Sequence, residues 1–152
     1  MGCVIPPSLS VDNEDAGVNS PPAITAVRAD DSELPEPGPV LFERGVGTMS
    51  IELVDTDLND TLTVGIFVDY NFPDENPARA TCTAKPSGKP QRTVTCDLIG
   101  LCQRADIGQT RNMTVVVFDR EVKDSGSPAF QAMDPPGMKT SKFYFLQCKE
   151  PA

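Results

Sequence analysis

Short runs in which apolar and polar residues alternate recur along the chain from residue 23 onward. Alternation with a period of two is typical of a β-strand with one buried face, and turn-forming Pro, Gly, Asp and Asn separate the runs. No run has the spacing of a long amphipathic helix. The predicted strands are Ala23–Ala29, Val40–Glu43, Val46–Val54, Thr61–Tyr70, Arg79–Ala84, Arg92–Ile99, Asn112–Asp119 and Lys139–Cys148.

Two stretches, Met113–Phe118 and Phe143–Leu146, are apolar on both faces. Strands of this kind are covered on two sides, so we expect a central strand at Met113–Phe118 and two-sided burial at Phe143–Leu146. The whole pattern predicts an all-β fold, an antiparallel β-sandwich of about seven or eight strands. At 152 residues the chain suits one domain, residues 23–150, preceded by a disordered N-terminal tether, residues 1–22.

Five cysteines divide into one at the N-terminus, Cys3, and four inside the predicted sandwich. Cys82 and Cys96 both fall on the apolar phase of their strands, and the six residues 85–90 between the strands have turn chemistry. A hairpin would bring the two cysteines opposite each other, within disulfide range. Of three possible connectivities, the pattern therefore favours Cys82–Cys96, which leaves Cys102–Cys148.

The alternative for these four cysteines is a zinc site, but their spacing contains no Cys-x-x-Cys pair. Disulfides form in oxidising compartments, so the pattern predicts an exported protein. Residues 4–22 are neither apolar nor basic, and no transmembrane or signal segment is present. We interpret the sequence as a mature chain with its signal peptide removed and Met1 added.

Gly2-Cys3 resembles the last two positions of a bacterial lipobox, in which the cysteine is lipidated. The resemblance implies lipid attachment at Cys3 and, because Val4 replaces the Asp that retains lipoproteins in the inner membrane, an outer-membrane lipoprotein facing the periplasm or the cell surface. Two alternatives remain. One is myristoylation of Gly2, which Pro6 disfavours; the other is a eukaryotic secreted domain with glycosylation sequons at Asn59 and Asn112.

The absence of histidine removes the commonest general base and metal ligand. The net charge of −9, with scattered basic residues, disfavours nucleic-acid binding. No catalytic motif accompanies the strands, so we predict that the protein is not an enzyme. A hydrolase that uses the carboxylates of loop Asn71–Pro77 is the weakest alternative.

Three local motifs resemble immunoglobulin-like domains of the bacterial and cadherin-like kind over residues 20–148. They are Asn19-Ser20-Pro21-Pro22 before the first strand, Asp55-Thr56-Asp57-Leu58-Asn59-Asp60 before the strand at Thr61, and Val115-Val116-Val117-Phe118-Asp119 leading to Asp124-Ser125-Gly126-Ser127-Pro128. The resemblance implies an immunoglobulin-like sandwich. It also implies that an Asp-x-Asp stretch shares a calcium ion with an acidic linker, here Asp12–Asp15 and Asn19.

Calcium prefers oxygen ligands, and four are close together in Asp55, Asp57, Asn59 and Asp60. The alternative is a β-turn in which Asp and Asn bind backbone amides. If no calcium binds there, the protein needs no cofactor.

These observations predict a non-catalytic cell-envelope module that binds, or structurally supports, another envelope protein or a surface glycan. Calcium-dependent adhesion is the alternative. Exposed loops at a sandwich end are the expected binding surface. The candidate apolar contacts there are Tyr70, Phe72, Phe130 and Met133.

Overall fold

The computed structural model describes residues 19–152, in which one short 3-10 helix accompanies nine β-strands. The elements are β1 (Ala23–Ala29), β2 (Ser32–Glu33), β3 (Val40–Glu43), β4 (Thr48–Val54), β5 (Leu62–Val68), β6 (Ala80–Ala84), β7 (Gln91–Asp97), the 3-10 helix Arg104–Asp106, β8 (Thr110–Phe118) and β9 (Lys139–Lys149). No helix among these residues is long and apolar enough to cross a membrane. Cys3, the acidic stretch 12–15 and the rest of residues 1–18 of the predicted tether lie outside the described part.

Eight of the strands coincide with the predicted runs. The additional strand, β2, has two residues and follows a tight turn at Asp30 and Asp31, whose φ angles are 50° and 61°. Aspartate adopts this left-handed conformation more readily than most residues, which lets the chain reverse without glycine.

The strands form two sheets with the orders β2-β1-β4-β7 and β3-β9-β8-β5-β6. All pairings are antiparallel except β3 with β9, where Val40 lies beside Leu146. Strands that follow one another along the chain repeatedly cross from one sheet to the other, as β4 and β5 do. This is the predicted immunoglobulin-like β-sandwich.

The inner faces of the two sheets pack together as one hydrophobic core. Met49, Ile51 and Leu53 of β4 are at most 1 % exposed and supply the centre of the first sheet's face. The second sheet contributes buried residues from β5, β8 and β9, which are Leu62, Val64, Ile66, Val68, Met113, Val115, Val117, Tyr144 and Leu146. The alternate apolar positions that predicted the strands are therefore the positions that face this core.

A second, smaller cluster lies on the outer face of the second sheet. Phe67, Val116 and Phe118 are buried there, with the Phe67 and Phe118 rings in edge contact at 6.4 Å between centroids. Side chains from the loops after β5 and β8 cover them. The prediction of a central, doubly covered strand at Met113–Phe118 is thus confirmed, because β8 lies between β9 and β5.

The same prediction is wrong for Phe143–Leu146. Tyr144 and Leu146 face the core, but Phe143 and Phe145 are 38 % and 39 % exposed on the outer face. They contact each other edge to face at 4.9 Å. The loop that covers the outer face packs on Phe67 and Phe118, and the outward side chains of β9 are outside that cluster.

Both predicted disulfides are present, Cys82–Cys96 with Cα atoms 5.0 Å apart and Cys102–Cys148 at 5.8 Å. The predicted hairpin is wrong, because β6 pairs with β5 and β7 pairs with β4 in the other sheet. Cys82 and Cys96 are both on inward positions, so the bond crosses between the sheets at their β6 and β7 edges. The apolar phase of the cysteines is the same in either arrangement, which is why the pairing was predictable and the sheet assignment was not.

Each disulfide should contribute separately to stability. Replacing Cys82 and Cys96 by alanine should lower the free energy of unfolding by about 3 kcal/mol, and replacing Cys102 and Cys148 by about 4 kcal/mol, since the second bond closes the longer loop. Urea unfolding of both double variants beside the oxidised wild type measures this. Mass spectrometry that finds any other pairing would contradict the structure.

Candidate metal centre

The connection from β4 to β5, residues 55–60, is a compact turn at one end of the sandwich. The Asp57 amide donates to Asp55 Oδ1 at 2.9 Å, and the Asp60 amide donates to the Asp57 carbonyl at 3.1 Å. The Asp55 amide donates to the carbonyl of Pro90, just before β7, at 2.9 Å. The Asp55 side chain therefore accepts from the backbone two residues further on, as in an Asx-turn, and backbone hydrogen bonds close the rest of the turn.

Three carboxylates converge in this turn. Asp55, Asp57 and Asp60 each offer one oxygen, and these oxygens all lie within 4.8 Å of one another. Oxygens that bind one calcium ion at about 2.3–2.6 Å are at most about 5 Å apart, so the group can hold a metal ion. Asn59, the fourth predicted ligand, is exposed on the same turn and lines an open cleft with Asp60 and Asp119.

Asp55 provides a second, independent observation that points to a cation. The residue is 1 % exposed, and its Oδ2 atom is buried without a hydrogen-bond partner among residues 19–152. A buried carboxylate oxygen that has left water and gained no partner costs free energy. A cation among the three carboxylates would supply that partner.

Asp119, which directly follows β8, was not predicted as part of the site. Its side chain is 2 % exposed, and its Oδ1 accepts a hydrogen bond from the Met138 amide at 2.8 Å. Its charge is among the causes that raise the pKa values of Asp55 and Asp60, so it belongs to the same electrostatic cluster. The sequence indicates this role of Asp119 only weakly, because all it shows is an acid at the end of a strand that is apolar on both faces.

Residues 19–22, which we name the lead segment, lie against this cluster. The Ser20 amide donates to Asp57 Oδ2 at 2.9 Å. Asn19 donates from Nδ2 to Asp119 Oδ2 and, at 3.0 Å, to the Pro136 carbonyl. Thr140 Oγ1 donates to the Pro22 carbonyl at 2.5 Å. The acidic cluster thus joins the chain's approach to β1 with the ends of β4 and β8.

Burial and mutual repulsion govern the ionisation of the cluster. Burial raises the pKa of Asp55, and the charges of Asp57 and Asp119 add to the rise, while the Asp57 amide and Arg92 oppose it. Burial also raises the pKa of Asp60, with further contributions from Asp55, Asp119 and Asp57 against Arg120. Without a cation the site therefore disfavours its own full ionisation.

A different buried acid lies at the opposite end of the sandwich and is fully compensated. Asp106 accepts from Arg79 at 2.6 Å, from Arg111 at 3.0 Å and from the Gln103 amide at 2.8 Å. Burial acts to raise the pKa of Asp106, but the Gln103 amide and the two guanidinium groups outweigh it and hold that pKa below its usual value. In contrast, Asp55, Asp57 and Asp60 form no ion pair among residues 19–152, and Arg92 and Arg120 only partly offset the rise in the pKa values of Asp55 and Asp60.

Of the four loop residues predicted to contact a partner, three pack against the domain and one is exposed. Tyr70, Phe130 and Met133 pack against the outer-face cluster, and the Tyr70 hydroxyl donates to the Ala129 carbonyl at 2.5 Å. Phe72 is 67 % exposed in loop Asn71–Pro77. In that loop, Glu75 accepts from the Ala129 amide at 2.6 Å, so this carboxylate links two loops.

The raised pKa of Asp60 makes a prediction with a definite sign. In EDTA the unfolded chain loses this proton near pH 3.8 and the folded protein loses it at higher pH. Stability therefore falls as the pH rises from 3.8 through the folded-state pKa, and the loss persists above it. Asp60→Asn should raise the Tm at pH 7 by roughly 2 °C, or about 0.5 kcal/mol, and the gain should vanish below pH 4.

Differential scanning calorimetry from pH 3 to pH 8 measures this effect, with the exposed Asp124→Asn as the matched control. An Asp60→Asn variant that melts at or below the wild-type temperature at pH 7 in EDTA would show that folding does not raise the pKa of the Asp60 carboxyl.

Comparison with protein-family models and with curated proteins finds no match to this chain.

Proposed function

We propose that the protein is a non-catalytic binding or structural module of the cell envelope, with a calcium ion bound where the chain enters the sandwich. The observation that carries the proposal is the convergence of three carboxylates, one of which, Asp55, has a buried Oδ2 without a hydrogen-bond partner among residues 19–152. A divalent cation would satisfy that oxygen and offset the repulsion within the cluster.

The donor set favours calcium over other metals. Carboxylates are hard oxygen ligands, which suit calcium and magnesium, and the softer ligands that select zinc or copper are missing. The chain has no histidine, and the four cysteines of the sandwich are paired in disulfides. Magnesium demands a tighter octahedron and retains more of its water, so calcium fits a spread cluster better.

The ion would link three parts of the chain. Asp55, Asp57 and Asp60 belong to the β4–β5 turn, Asp57 holds the lead segment through Ser20, and Asp119 holds it through Asn19. In the cadherin-like domains that the motifs resemble, such an ion also contacts an acidic linker before the domain. We propose that calcium sets the orientation of the segment that leads into β1.

Calcium should stabilise the folded protein. At a calcium concentration one hundred times Kd, the free energy of unfolding should rise by about 2.7 kcal/mol, which corresponds to a Tm increase of roughly 8 °C. Asp60→Asn should lose most of this increase although it melts higher than wild type in EDTA.

Thermal unfolding in EDTA, in MgCl₂ and in CaCl₂ measures the response, and Asp124→Asn again serves as the control, with a full calcium shift. A wild-type Tm that does not change with calcium would remove calcium from the proposal.

The second part of the proposal is the lipid anchor. Because the four cysteines of the described domain pair with one another, they leave no partner among them for Cys3. Lipidation of Cys3 would account for this fifth cysteine in an oxidising compartment, and an outer-membrane location is proposed with it.

Cys3 should carry a lipid in the native cell. Metabolic labelling with a clickable fatty acid should label the wild-type protein in the membrane fraction, and Cys3→Ser should lose the label and move to the soluble fraction. Unlabelled wild-type protein, or membrane retention of Cys3→Ser, would contradict the anchor.

The surface that would meet a partner lies away from the lead segment. Antiparallel pairing of β5 with β8 puts loop Asn71–Pro77, which follows β5, at the end opposite the acidic cluster. A module anchored before the lead segment would present this loop and the exposed Phe72 outward. An envelope protein or a surface glycan is the proposed partner. Calcium-dependent adhesion is the second candidate, favoured by the position of the cluster at the base of the domain.

A further inference from the structure

Arg92 occupies a position where the strand pattern calls for an apolar residue. Along β7 the inward positions are buried and the outward ones exposed, and Arg92 is inward in the same phase as Val94 and Cys96. It is 7 % exposed and lies beside Leu53 of β4. A guanidinium group at such a site costs free energy unless its hydrogen atoms find acceptors.

The acceptors for its two Nη groups are backbone carbonyls of the acidic turn, whereas its Nε is buried without a hydrogen-bond partner among residues 19–152. Arg92 Nη1 donates to the Asp60 carbonyl, and Nη2 donates to the carbonyls of Asp57 and Leu58 at 3.3 and 3.4 Å. Among residues 19–152 it takes part in no ion pair. One side chain from β7 thus holds three carbonyls within four residues.

These contacts affect which oxygen atoms of the turn face a bound cation. The carbonyl oxygens of Asp57, Leu58 and Asp60 accept hydrogen bonds from Arg92 on β7, while the carboxylates of Asp55, Asp57 and Asp60 converge on one another. The fixed positive charge also opposes the repulsion that would otherwise spread three converging carboxylates before an ion arrives.

We propose that Arg92 is a positioning residue of the calcium site, which holds the turn of residues 57–60 closed so that Asp55, Asp57 and Asp60 converge in the absence of the ion. The inference rests on the proposed calcium site. It extends that site to a residue on another strand that touches no ion and acts through the backbone of the turn.

If Arg92 only stabilises the fold, replacing it should lower the Tm without a specific loss of calcium affinity. The experiment must therefore measure stability and calcium affinity separately. Arg92→Met keeps the length and removes the donors and the charge. Arg92→Lys keeps the charge but cannot reach three carbonyls. Arg79→Met is the matched control, because Arg79 also donates to a carbonyl, that of Leu101, and to Asp106, at the opposite end of the sandwich.

Isothermal titration of each folded protein with CaCl₂ at pH 7 gives the first readout. Arg92→Met should weaken calcium binding by about tenfold or more, as the loss of outer-shell support does at other metal sites. Arg92→Lys should give an intermediate Kd. Arg79→Met should lower the Tm and leave the calcium Kd within about twofold of wild type.

Amide hydrogen exchange in EDTA gives a readout that needs no metal. The amides of Asp57 and Asp60, which bond within the turn, should exchange faster in Arg92→Met than in wild type and should keep the wild-type rate in Arg79→Met. If Arg92→Met does not fold, the same comparison is made with Arg92→Lys.

The outcomes distinguish this inference from the function on which it depends. If wild type binds calcium and both Arg92 variants keep the same Kd, the role of Arg92 is overturned and the calcium site stands. Loss of affinity in Arg79→Met equal to that in Arg92→Met also overturns it, because the effect then follows stability. Wild type that binds no calcium overturns both.

Discussion

The structure depends on the packing of two inner sheet faces against each other. The strands that contribute to the core place alternate side chains inward, and the two sheets share one hydrophobic cluster. The chain crosses between the sheets five times, from β2 to β3, β3 to β4, β4 to β5, β6 to β7 and β7 to β8, so both sheets are built from segments spread along the sequence. Because the strands of a sandwich end together at its two ends, this packing also brings residues that are distant in sequence, such as Asp55 and Asp119, into one small volume.

The cysteines use the same inward phase. Cys82 and Cys96 bridge the sheets where the β6 and β7 edges face each other, and Cys148 bonds from β9 to Cys102 in the connection between β7 and β8. Both bonds join segments that the core already brings close. They therefore restrict the unfolded chain and leave the loops at the sandwich ends free to carry function.

The sequence predicted the strands and the cysteine pairs because period-two alternation reports which side of a strand is inward. It does not report which sheet a strand joins, so a hairpin and an inter-sheet bridge were indistinguishable for Cys82 and Cys96. Nor does it report which outer faces a loop covers, and Phe143 and Phe145 were misplaced for that reason. Asp55, Asp57 and Asp60 were predictable because they are neighbours in sequence, whereas Asp119 and Arg92 approach them only through the fold.

The disulfides and the acidic cluster constrain different parts of the molecule. Cys82–Cys96 connects the sheets and Cys102–Cys148 bonds the β7–β8 connection to β9, whereas the acidic cluster connects the lead segment to the turn after β4 and the end of β8. The core residues behind the cluster are apolar and pack on one another. The proposed cation would act first on the repulsion among the acids. Because Asp57 and Asp119 also hold Ser20 and Asn19, it would act through them on the direction in which the lead segment enters the sandwich.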